Sequence, residues 1–99
     1  MTTGWLVGVL VETDGGFVRH FYAAAREDQA RAEWSAVDRA QNEGTVATSP
    51  RGGTEPVQAI SPLSADAVRS LDLAPGEVRA LGVRWPRRWV GNRLLPHRD

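Results

Sequence analysis

The chain has no cysteine in its 99 residues, which excludes disulfides, thiolate nucleophiles and thiolate metal sites and leaves the redox compartment open. Lysine is missing too: all twelve basic residues are arginine, so Schiff-base chemistry and a lysine phosphate clamp are ruled out. The only histidines are His20 and His97, neither with a carboxylate at ligand spacing, so no metal site and no cofactor are implied. Long apolar runs are also lacking. The stretch 5–11 is too short for a signal sequence or a membrane span, and the residues before it carry no positive charge; a cytoplasmic protein without membrane contact is expected. No repeat or low-complexity tract is present.

What is present is ordinary in amount and uneven in placement. Apolar residues at 41% and charged residues at 24% describe a globular chain, long enough for one domain with one modest core. Function must then sit on that domain's surface, in a single cleft or at an interface. Residues 1–78 hold six arginines against eleven acids, a net −5, whereas residues 79–99 hold six arginines, two tryptophans and one acid, a net +5. A neutral protein thus divides into an acidic body and a basic arm. The arm is drawn onto its own body or onto an anionic partner.

Hydropathy patterning predicts the elements. Residues 5–12 and 17–22 are β-branched and aromatic around Thr13-Asp14-Gly15-Gly16, the signature of a β-hairpin. If Asp14 and Gly15 form the loop, Val9 faces His20 and Val7 faces Tyr22; if Gly15 and Gly16 form it, the pairing slides by two residues. Either register gives one face of Val7, Val9, Val11, Val18, His20 and Tyr22 and another of Leu6, Gly8, Leu10, Glu12, Phe17, Arg19 and Phe21. Neither face is polar enough to be left in water, so each needs a cover.

A helix is predicted over 26–42, with Ala30, Trp34, Val37 and Gln41 on one stripe, Trp34 packing it on the sheet and Gly44 as its stop. Short strands are predicted over 45–48 and 57–60, joined by a Pro- and Gly-rich loop. A short helix through Val68 and Leu71 follows, for which Ser61-Pro62-Leu63-Ser64-Ala65-Asp66 offers two caps in succession, and a last strand lies over 77–83. The order ββαββαβ predicts a small α+β domain over 1–83, a ferredoxin-like variant with an extra N-terminal hairpin strand and both helices on one face, followed by a basic aromatic tail over 84–99.

Candidate chemistry is sparse. His20 and Tyr22 project from one face of one strand, so an imidazole and a phenol could line a pocket beside Val9; no third group orients the imidazole, and ring tips bonded to backbone or water explain the pair as well. Arg51-Gly52-Gly53 could offer backbone N–H groups to an anion, but it lacks the Gly-Lys-Ser/Thr ending of a P-loop.

The tail interleaves Arg84, Arg87, Arg88 and Arg93 with Trp85, Trp89, Leu94 and Leu95. One tryptophan buries about 150–250 Å², an upper bound of roughly 4–6 kcal/mol at about 25 cal/mol per Å². That favours docking of the indoles, on the exposed sheet face or on a second subunit. Stacking on single-stranded nucleic acid is the alternative, opposed by an overall pI near 6.7. A membrane-surface helix is opposed by Pro86 and Pro96. The expectation is a non-enzymatic interaction or regulatory module, a homodimer or a binder of another protein, with Arg84, Trp85, Arg87, Arg88, Trp89 and Arg93 as its contact residues. The competing expectation is a small enzyme or ligand-binding domain with a pocket on the Val9/His20/Tyr22 face.

Overall fold

A computed structural model describes residues 2–50 and 55–86. The elements run β1 (Thr2–Thr13), β2 (Gly16–Ala24), α1 (Gln29–Ala40), β3 (Thr45–Val46), β4 (Val57–Ser64), α2 (Ala65–Ser70) and β5 (Val78–Gly82). All strand pairings are antiparallel.

The hairpin adopts the Asp14–Gly15 register, with Thr13 opposite Gly16, Val9 opposite His20 and Val7 opposite Tyr22. The left-handed residue is Gly16, at φ 118°, a conformation that a residue without a Cβ adopts at no steric cost, and the pairing runs on from it along both strands without a register shift. β1 is then flanked by β2 on one side and by β3 and β4 on the other, and β5 lies outside β2. β3 meets β1 only at Val11 and Glu12, while β4 pairs along Thr2–Val9. The two together make one interrupted edge. Pro62 is accommodated in β4 because an edge strand needs its N–H groups on one side only.

This arrangement corrects the ferredoxin-like expectation. The succession along the chain is ββαββαβ, but the spatial order is β3/β4, β1, β2, β5, and the helices cover opposite faces. On one face Val7, Val9, Val11, Tyr22 and Ala24 pack under Ala32, Ala36 and Ala40 of α1. On the other, Leu6, Ala23, Ala25, Leu63, Leu71 and Leu73 form a second cluster with Ala67 and Val68 of α2 and with Trp85.

Helix ends follow local chemistry. The side chain of Asp28 caps α1 by accepting from the Arg31 N–H at 2.9 Å, so the helix starts three residues later than expected. The Trp5 indole N–H donates to the Glu27 carbonyl at 3.0 Å and ties that start to β1. Ser64 caps α2. Its other end is a Schellman motif: Asp72 sits at φ 56°, and the N–H groups of Asp72 and Leu73 donate to the carbonyls of Arg69 and Val68 at 2.9 and 3.2 Å. Among the described residues no helix is long and apolar enough to cross a membrane.

Candidate functional site: an apolar groove beside Trp34

α1 presents two apolar stripes, and the structure seats the smaller one. Ala32, Ala36 and Ala40 lie at i, i+4 and i+8 and are fully buried against the valines of β1 and Tyr22. Side chains of one carbon let the helix come down onto a sheet face already filled by larger residues. Trp34 therefore does not pack the helix on the sheet, as the stripe of larger residues suggested. It is 74% exposed, the most exposed large apolar side chain among the described residues.

The displaced stripe has another setting. Ala30, Trp34, Val37 and Gln41 form one wall of a groove of about 410 Å³, and Val46, Ala47, Thr48 and Val57, from the edge made by β3 and β4, form the other. Val46 and Val57 also pack on the core beneath, so the groove floor is continuous with the interior. Among the described residues Glu33 is the only charged one lining it, and it accepts from Gln29 Nε2 at 3.2 Å. An apolar trough with one acid at its rim suits an apolar side chain accompanied by a basic neighbour.

The opposite flank of α1 is polar. A cleft of about 470 Å³ is lined by Arg26, Ser35, Asp38, Arg39, Asn42 and the Gly76–Val78 turn, among others. Arg26 Nε donates to Ser35 Oγ at 2.9 Å, and Arg39 lies 3.6 Å from Glu43. Cations and carboxylates are mixed along this flank, so it favours no ligand of one sign.

The residues singled out from sequence are distributed as follows. His20 and Tyr22 do come together, with ring centroids 6.5 Å apart and planes 23° from parallel. The space over Val9 and Tyr22 is taken by α1, and both residues are fully buried. The Tyr22 hydroxyl is sealed in and has no hydrogen-bond partner among the described residues. Burial, then the Glu43 carboxylate, push its pKa up, with Arg39 acting against them.

In the tail, Arg84 is exposed, whereas Trp85 is half-buried and meets Phe21 edge-on at 5.8 Å and 84°. Arg87, Arg88, Trp89 and Arg93, like Arg51-Gly52-Gly53, lie outside the described residues.

The groove and a half-buried arginine on the far face, Arg19, are what sequence reading misses. The signal for the groove is present, since residues 30–41 carry two stripes and only one can face the sheet. Arg19 gave no such signal. Comparison with protein-family models, with curated proteins and with solved structures finds no match.

Proposed function

We propose that this chain is a small cytoplasmic, non-enzymatic interaction module that pairs with a second copy of itself. In this reading the Trp34 groove is the receiving surface, and the segment carrying Arg84, Trp85, Arg87, Arg88, Trp89 and Arg93 supplies the basic contacts. The observation that carries it is Trp34, an indole 74% exposed on the rim of an apolar trough. Exposed tryptophans beside apolar pockets are the residues around which binding energy concentrates. A second copy fits because each chain carries both an acidic body and a basic arm, so two copies related by a two-fold axis satisfy each other twice.

Sedimentation equilibrium of the full chain at low and high salt tests this. The expected result is a dimer that weakens as salt screens the arm, and that becomes a monomer in Trp34→Ala and on deletion of residues 84–99. Circular dichroism of Trp34→Ala should remain that of the parent, because the indole is not part of the core. A wild-type chain that is monomeric at every concentration and salt level, or a Trp34→Ala variant that dimerises as before, overturns the reading. The competing pocket over Val9, His20 and Tyr22 gains no support from a face filled by α1.

A further inference from the structure

Beyond the cluster under α2, the second sheet face continues through Gly8, Leu10, Arg19 and Phe21, and it holds a cation in an unusual setting. Arg19 is half-buried. One of its terminal nitrogens, Nη2, donates to Gln58 Oε1 of β4, and its guanidinium carbon lies 5.8 Å from the Phe21 ring centroid. Nε is buried and has no acceptor among the described residues. Among the described residues no carboxylate forms an ion pair with it.

The same-face acid, Glu12, is next along β1 from Leu10, which pairs with Arg19. The guanidinium leans the other way. It lies over Gly8, where a Cβ would come within 2.6 Å of Nε. The seat therefore exists because residue 8 has no side chain.

A cation half withdrawn from water and met by one neutral amide and a ring face is under-compensated, since neither supplies a full opposing charge. Were the role only to cover Gly8 and Phe21, an unbranched apolar side chain would do it without that desolvation cost. What the guanidinium adds is a rigid fork of donors suited to paired oxygens. Gln58 holds one arm and the ring holds the plane, so the fork is oriented before any ligand arrives.

We propose that Arg19 is the receiving group of an oxyanion site on this face, binding a carboxylate or phosphate group through its terminal nitrogens. The site lies on the sheet face opposite α1 and does not depend on the groove reading.

The test is thermal melting of the full chain in chloride, acetate and phosphate at matched pH and ionic strength, for wild type and Arg19→Met. The wild type should gain several degrees in acetate or phosphate, by preferential binding to the folded state. Arg19→Met should melt higher than wild type in chloride and show only the smaller general effect of each salt. Whichever anion gives the larger specific rise identifies the chemistry as carboxylate or phosphate. Equal rises in the two proteins, or none in the wild type, overturn the proposal.

Should Arg19→Met fail to fold, the ¹⁵N resonance of the Arg19 side chain in the wild type decides. It should move saturably with acetate or phosphate, while that of Arg39, already beside Glu43, should not; a stationary Arg19 signal overturns the proposal. In Glu12→Gln the same resonance should keep its position, and a shift there would mean that Glu12 is the missing counterion.

Discussion

Tyr22 shows how a residue chosen for its chemistry turns out to belong to the core. It is the only tyrosine in the chain, so its ionisation can be followed without interference. Its hydroxyl is buried with no partner among the described residues, and its pKa is raised above 10.0 by burial and by Glu43. Because the folded value lies above the unfolded one, the neutral phenol's share of stability is complete below about pH 10 and is lost as pH rises through the folded value. Tyrosinate absorbance should therefore appear at higher pH in the native protein than in urea. Tyr22→Phe should remove that part of the alkaline loss and, by deleting an unsatisfied group, leave stability at neutral pH unchanged or raised by about 1 kcal/mol. A marked loss would mean that the hydroxyl has a partner. Glycines give a second contrast at this scale. A Cβ at Gly4 would lie 2.7 Å from the Ala24 carbonyl oxygen, which is backbone, whereas at Gly8 it meets the movable end of Arg19. Gly4→Ala should cost about 1–3 kcal/mol in urea unfolding and Gly8→Ala distinctly less. The face that Val9 shares with His20 and Tyr22 is readable from alternation, whereas the choice between the two registers, settled as Val9 opposite His20, is not. The close approaches at Gly4 and Gly8 are not readable either, since they depend on which strand lies alongside.

At the scale of elements, α1 decides what is core and what is surface. Its existence is written in residues 26–42, but its orientation is not, because two apolar stripes compete and the larger one looks like the better core. Packing reverses that order. A sheet face filled by Val7, Val9, Val11 and Tyr22 has room for alanine beneath the helix and not for an indole. The reversal is measurable. Ala36→Leu should lower stability by about 1–3 kcal/mol through overpacking, whereas Trp34→Ala should change it by less than about 1 kcal/mol, because the indole is 74% exposed. The opposite outcome would place Trp34 in the core after all. β4 illustrates a different gap. Alternation identifies residues 57–60, yet the strand runs from Val57 to Ser64 through Pro62, a continuation that only its position at the sheet edge permits. β3 shrinks to Thr45–Val46 because β4 occupies the rest of that edge of β1.

At the scale of the whole molecule, the two apolar faces of the hairpin state the central requirement, that both sides of the sheet be covered. The succession of elements does not say how. A ferredoxin-like sheet puts both helices on one face and leaves the other to a partner, whereas here α1 takes one face and α2 the other, and β1 with β2 becomes the doubly covered centre. α2 is only six residues long, which leaves part of its face for Trp85. That indole meets Phe21 edge-on at 5.8 Å, and Phe21 is 4% exposed. The start of the basic arm is thus a structural cover, whatever contacts the arm makes further on. A double-mutant cycle isolates the effect. Trp85→Ala should destabilise by about 1–3 kcal/mol, less than the roughly 3–5 kcal/mol of a fully buried ring because the indole is half-buried. Phe21→Ala should cost more, being in the sheet itself. Combined, the two should fall short of additivity by about 0.5–1.5 kcal/mol, the coupling of an aromatic pair. Strict additivity would mean that the two rings act independently and that Phe21 owes its burial to something other than Trp85. With the coupling present, cutting the chain before residue 84 removes a cover as well as a charge, so loss of dimer in that truncation alone does not separate recognition from stability, and the Trp34→Ala variant carries the distinction.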